Sequence, residues 1–395
     1  MSSLTSTSLK LILVTITMSA LVSSCSRKSD YTDAYAYYDG YIPLQTNLNN
    51  SNLVQAEGLS ADQIKKAQDL IKQDQEEAEN EDKEAEKVTT STIIPKVKPS
   101  IEPVILPSGV KKFDLRAKFQ PFEIDKMFEP SALCTDEKGN LFTVSDKLST
   151  SIYRIWQSGN KYQVNEDIKT STGQVFKLRL KKKNRFDFEG LEYLDGLFYV
   201  ADERDRRVYT IDKSGNIKDL EIDVNGYMDS HNIGNKESNS GLEGLTIDPV
   251  NKKMFLMKER QESAILVADM KTNKIERHFK LNIPGTVEPA LTDASFYNGF
   301  LYVLVRSHRQ IVKVNPETGE VASIYDYRKY EENPDYVYRK VPNWFGSADS
   351  DGYGVMEGLA VTKDSFYVAS DNNMIPSQHS VFNNKPIVFV FDKPE

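Results

Sequence analysis

The sequence predicts an all-β chain, a β-propeller of five or six blades, and three observations carry that prediction. Beyond about Val110, short alternating apolar runs separated by turn residues replace any sustained helical period. A unit of strand, tight turn, second strand closing on an acid or Arg, third strand and Gly/Asn turn recurs with starts at Pro130, Phe188, Leu242, Thr292 and Met356. Those starts lie roughly fifty to sixty residues apart, the period of a four-stranded blade.

From the N-terminus, "MSSLTSTSLKLILVTITMSALVSSC" has one basic residue, Lys10, an apolar stretch from Leu11 to Leu21 and small residues up to Cys25. It reads as a signal peptide over residues 1–24, too short for an ordinary spanning helix. Its end, "LVSSC", resembles a bacterial lipobox, which implies lipidation of Cys25 and anchoring of the mature chain in the cell envelope. Ser26, where an aspartate would retain the protein, points to the outer membrane, with the body periplasmic or surface-exposed. Residues 25–109 are a low-complexity tether with a Tyr-rich start, an acidic run and the proline-spaced "STIIPKVKPSIEPVILPSG". Within it "SADQIKKAQDLIK" has a capping-box spacing from Ser60 to Gln63 and apolar residues at helical intervals, so a short helix is expected.

Residues 110–395 are the propeller domain. The inner strands and their returns are "PSALCTDEKGNLFTVSDK", "FEGLEYLDGLFYVADER", "LEGLTIDPVNKKMFLMKER", "TDASFYNGFLYVLVRS" and "MEGLAVTKDSFYVASDN". The third strands, "SIYRIWQ", "RVYTID", "AILVAD", "QIVKVN" and "PIVFVFD", fall in step. Four of them are followed by a turn and a fourth strand. The last is not, so Val110 to Ile124, "VKKFDLRAKFQPFEI", is expected to supply its fourth strand and close the ring. A sixth blade would have to come from the stretch Tyr162 to Lys183 or Tyr325 to Tyr353. Cys134, in an apolar run and without an intramolecular thiol partner, reads as buried and inert.

A propeller turns a repeated position into a ring at the channel mouth. Glu189, Glu243 and Glu357 hold that position in three units, Ser131 in the first, and Asp293 or Ser295 in the fourth. Converging carboxylates in a narrow channel are costly unless protonated, hydrated or neutralised. An all-oxygen set of this kind suits a hard cation, calcium before zinc; the alternative is that these Glu residues only cap a water-filled channel. The glycine after each Glu is expected to let neighbouring inner strands approach closely. Because the second strand returns to the face the first one left, Asp146, Lys147, Asp202, Glu203, Arg204, Glu259, Arg260, Arg306, Asp371 and Asn372 should rim the same mouth. Such a rim fits an anionic, metal-bridged ligand such as a phosphoester, or equally blade-to-blade salt bridges. Lys182 and Arg185, with Lys181 and Lys183, precede Glu189 and are further candidate phosphate contacts beside a plain solvated edge. Tyr336, Tyr338 and Trp344 stand in a long insert before Glu357, either as ligand contacts or as loop packing. "DSDG", Asp349 to Gly352, is a fragment of a calcium loop.

At the EGL runs and their strand-ending D-E-R or E-R, the chain resembles bacterial propellers of the "esterase-like activity of phytase" (phytase-like) family and of the SdiA-regulated family, over Val110 to Glu395. The resemblance implies a propeller and an esterase or phosphatase activity. The Ser and Glu residues at the channel position also resemble those of five-bladed calcium-dependent nucleotidases, whose central calcium such residues hold. The fourth unit, "TDASFYNG", departs by lacking EGL.

A net charge of −8 removes nucleic acid as a default partner. There is no G-x-S-x-G run, and His231, His278, His308 and His379 lack zinc spacing. A hydrolase would therefore use metal-activated water, with Glu243 or Glu259 as base and Arg204 and Arg260 beside it. Two readings stay open: a metal-dependent phosphoester or ester hydrolase, and a non-catalytic propeller that binds a ligand, envelope component or host molecule and keeps the ion for stability. The chain is expected to be monomeric.

Overall fold

The computed structural model describes residues 108–125, 128–146, 150–170, 186–234, 241–283, 288–331, 355–371 and 385–394. The signal peptide, Cys25, the tether and its helix lie outside them, as do Lys147, Lys182, Arg185, Asn372 and the aromatic insert. No helix among the described residues is long and apolar enough to cross a membrane.

Each repeated unit folds as its alternation predicts. The first is β3 (Cys134–Thr135), β4 (Leu141–Thr143), β5 (Ser151–Ser158) and β6 (Lys161–Lys169); the second is β7 (Phe188–Leu194), β8 (Leu197–Asp202), β9 (Arg207–Asp212) and β10 (Ile217–Asp219). The third is β11 (Leu242–Asp248), β12 (Lys253–Lys258), β13 (Ala264–Asp269) and β14 (Lys274–Phe279). The fourth is β15 (Leu291–Tyr297), β16 (Phe300–Val305), β17 (Gln310–Val314) and β18 (Val321–Asp326), and the last has β19 (Val355–Val361), β20 (Ser365–Asp371) and β21 (Ile387–Asp392). Strands within a unit pair antiparallel in sequence order. The inner strands follow one another around a channel: β3 meets β7, β7 meets β11, β11 meets β15, β15 meets β19, and β19 returns to β3. This is the β-propeller that the repeat predicts.

The segment before the first repeat divides its work. β2 (Phe122–Ile124) completes the last unit, with Phe122 opposite Val388 and Glu123 opposite Ile387. It also touches β6 in parallel, Ile124 opposite Tyr162, and so joins the last sheet to the first. β1 (Lys111–Asp114) goes elsewhere: it adds in parallel to β18, Phe113 opposite Tyr325, as a fifth strand of the fourth unit. A single closing strand was the expectation. The chain is long enough to brace two units because Leu115, fully buried among Tyr325, Tyr327 and Phe391, turns it between them.

The strands are apolar on both faces because each sheet is packed on both sides. Along β8, Phe198 and Val200 enter the cluster shared with the first sheet, and Tyr199 and Ala201 the one shared with the third. Phe142 and Phe198 meet edge-on across the first interface, ring centroids 5.0 Å apart. Cys134 lies in that same cluster, buried as expected, and burial pushes its thiol pKa well up. The longest helix among the described residues has no counterpart in the sequence pattern. It is α1 (Val224–His231), whose Asp223 carboxylate accepts the Gly226 N–H at 2.9 Å and whose end is set by Asn232 in the left-handed region. Eight residues with only Val224 and Met228 buried give little periodic signal.

The glycines of the EGL runs do what the sequence asks of them. A Cβ on Gly244 would stand 2.6 Å from Asp293 Cα and 2.8 Å from the Thr292 carbonyl oxygen, and one on Gly190 would stand 2.8 Å from the Leu245 nitrogen. These are backbone atoms of the next inner strand and cannot swing aside. Gly244→Ala is expected to lower stability by about 2–3 kcal/mol, read as an earlier urea midpoint at unchanged m-value.

Candidate functional site at the channel mouth

The mouth is built where inner strands begin and second strands end. Phe188 pairs with Asp202, Leu242 with Lys258, Leu291 with Val305 and Met356 with Ser370. In each pairing the register slips by one residue just after, so Glu189, Glu243, Thr292 and Glu357 are the extra residues of four equivalent β-bulges. A bulge turns its side chain out of the pleat, which is how three glutamates reach the axis. The same register corrects the fourth unit: Thr292, rather than Asp293 or Ser295, occupies the glutamate position.

Asp293 takes the glycine position and serves a different purpose. Fully buried, its carboxylate accepts N–H groups from Leu359 at 2.7 Å, Ala294 at 2.8 Å and Leu133 at 3.2 Å, tying the fourth inner strand to the fifth and the first. Burial raises its pKa, against the pull of those three donors. It is a brace inside the ring and not a metal ligand at the mouth. Ser295 likewise accepts the Val361 N–H at 3.2 Å.

Among the described residues, one trio of carboxylates converges closely enough to hold an ion. Oxygen atoms of Asp146, Asp187 and Glu189 all lie within 4.8 Å of one another. Ser131, predicted as a ligand, instead orients Asp146 by accepting its N–H at 3.1 Å. Arg204 supports the trio through Nε to Asp187 Oδ2 at 2.5 Å. Asp202, predicted on the rim, is fully buried behind it, accepting N–H groups from Asp187 at 3.2 Å and Asp205 at 3.0 Å. It shapes the turn that presents Asp187 and does not face a ligand. Asp187 itself went unnamed at the sequence level, although the D-F-E spacing places it and Glu189 on one side of the chain.

Around the trio stands a wider acidic set. Burial, then the charges of Asp146, Asp187, Glu203 and Glu357, pushes the Glu189 pKa well up. Burial and Glu259, Glu203, Glu189 and Glu357 do the same to Glu243, whose carboxyl makes no hydrogen bond or ion pair among the described residues. Glu203 is raised to about 8 by burial, Asp187 and Glu259, while it accepts the Gly241 N–H. Glu357 is raised to about 8 by burial, with Glu259 and Asp371 adding to the effect despite Arg306 beside it. Arg306 bridges Glu259 and Glu357 with its two terminal nitrogens. Glu259, fully buried, also meets Arg260 Nε at 3.0 Å. Two guanidiniums already engage the Glu259 carboxylate, whereas Glu243 makes no such contact among the described residues, so Glu243 is the better of the two predicted acid–base residues. Lys258, fully buried and brought down to about 8 by burial, donates to the carbonyls of Arg260 and Gln261 and so holds the turn that carries Arg260.

A propeller whose axis opens on an acidic, arginine-braced mouth with a cation-sized cluster is the class that fold and site define. The chain belongs to the phytase-like family, described as esterase-like activity of phytase, which matches residues 129–374. No curated protein matches the sequence. Among solved structures, the glutaminyl cyclase of Myxococcus xanthus is similar at 10% identity and TM-score 0.47, covering 72% of this chain and 100% of that one. The PQQ-bound aldose sugar dehydrogenase of Streptomyces coelicolor is similar at 10% identity and TM-score 0.39, covering 71% and 98%.

Proposed function

We propose that the chain is an envelope-tethered hydrolase of phosphoesters or related esters that depends on a divalent cation, calcium, at the channel mouth. The observation that carries this is the trio Asp146, Asp187 and Glu189, held by Ser131 and Arg204 at the axial opening. Three carboxylates, with no nitrogen or sulfur donor beside them among the described residues, suit calcium. Within the membership of the phytase-like family, such a cation would supply Lewis acidity toward a phosphoryl or carbonyl oxygen. The chain's own groups do the rest. Glu243, whose pKa burial and neighbouring carboxylates raise, is the group we assign to give a proton to a leaving oxygen. Arg260, with 45% of its side chain exposed, offers its guanidinium to an anionic substrate group. The lipobox at Cys25 supports attachment to the envelope, with the outer membrane as the proposed location.

A second reading, a binding propeller with a structural ion, draws on the pairing of Arg204 with Asp187 and of Arg306 with Glu259 and Glu357. Calcium titration separates the two. The full chain should melt higher with calcium and turn over a phosphomonoester or aryl ester, and the Asp187→Asn, Glu189→Gln double variant should lose both responses. Stabilisation without turnover would leave the binding reading; a melting temperature indifferent to calcium and chelator would sink the ion site.

The pH dependence has a definite sign. Glu203 and Glu357 titrate near 8 when folded and near their ordinary value, about 4.3, when unfolded. The folded state therefore binds protons more tightly, and in chelator the melting temperature should fall as pH rises from about 5 to 8. Calcium needs ionised ligands, so the shift it produces should be small at pH 5 and grow across the same window.

A further inference from the structure

The inner strands also have far ends, and there a cavity of about 410 Å³ opens between the turns that leave β3, β7, β11, β15 and β19. Its walls include Tyr193 and Tyr297, and its charged lining is Asp136, Glu137 and Glu192 against Lys363. Glu192 is held in place rather than free to turn away: it accepts the Thr246 hydroxyl at 2.6 Å and the Tyr193 N–H at 2.9 Å. Thr246 in turn accepts the Phe296 N–H at 2.8 Å, so three neighbouring inner strands fix this carboxyl. The rim already receives an ammonium group, since Lys393 Nζ lies 3.8 Å from the centroid of Tyr297.

We propose that this far mouth is a second binding site, for a small organic cation of the ammonium class. The volume is that of a small-ligand pocket, the rings of Tyr193 and Tyr297 stand in its wall, and its three carboxyls outnumber the two ammonium groups of Lys363 and Lys393. A neutral polyol would gain nothing from that excess. The Glu192 carboxyl is supporting evidence: burial raises it to about 7, so an entering cation favours its ionised form and binding expels a proton. The other ionisable groups that feel Glu192 are Asp293 and Cys134, and burial raises both. The site is separate from the acidic mouth and does not depend on the activity proposed there.

The test is calorimetric titration of the full chain with choline and with its uncharged isostere 3,3-dimethylbutan-1-ol, at pH 6 and pH 8. Choline should bind, and bind roughly tenfold more tightly at pH 8, the change in ionised fraction of a group titrating near 7. Glu192→Gln should weaken choline at least tenfold by this linkage and flatten its pH dependence. Glu137 is exposed in a turn, so Glu137→Lys keeps the fold and places a repelling charge at the opening; it should also weaken choline. Equal binding of the isostere, no binding of choline at 50 millimolar (on the order of the weakest specific sites), or unchanged binding in both variants would overturn the proposal.

Discussion

Arg306→Met is expected to destabilise the folded chain by about 3–5 kcal/mol, the cost of stripping the partner from a buried charge. Arg306 shares with Arg260 the neutralisation of Glu259, whose side chain is 0% exposed, and it reaches Glu357 at the same time. Methionine matches its length but leaves two carboxylates facing each other out of water. Protonation would relieve that repulsion, so the loss should be larger at pH 8 than at pH 5, and urea unfolding at both pH values in chelator measures it. Adding Glu259→Met to Arg306→Met should recover part of the loss, because replacing a whole buried pair is far cheaper than breaking it. An additive double variant would show that the two residues do not brace each other.

Asp293→Ala carries the other large effect, about 3–6 kcal/mol, from three buried N–H groups left without an acceptor at roughly 1–3 kcal/mol each, partly relieved by local adjustment. Leu133 directly precedes β3, Ala294 lies in β15 and Leu359 in β19, so the loss loosens the ring where the fourth, fifth and first units meet. Asp293→Asn keeps one carbonyl oxygen of similar shape and should fall between the wild type and alanine. Amide hydrogen exchange at Leu133 and Leu359 should rise in the alanine variant well before global unfolding. Since Asp293 lies inside the ring, calcium binding at the mouth should survive both substitutions.

Both residues were visible in the sequence, and neither had its partner visible. Arg306 was placed on the rim because "FLYVLVR" must return to the face where the first strand began, which alternation and a tight turn are enough to show. That Glu259 and Glu357 would share its guanidinium depends on strands 47 and 51 residues away in sequence. Asp293 shows the limit more sharply. Counting along "TDASF" could not tell which residue stands at the bulge, because a slip of one position exchanges a mouth-facing side chain for one inside the ring. The pairing of Leu291 with Val305 and of Asp293 with Leu304 resolves it, giving Thr292 the bulge.

Local chemistry is therefore what a linear reading recovers: strand period, turn residues and, in the EGL runs, a glycine where two inner strands nearly touch. These depend on neighbours within a few residues, and the repeat printed them again and again. Which carboxylates share a cation-sized space, which arginine neutralises which acid, and how the N-terminal segment divides between β18 and β21 are set only once the ring closes. Electrostatic cost varies with distances of a few ångströms, and those distances arise between residues that the chain itself keeps far apart.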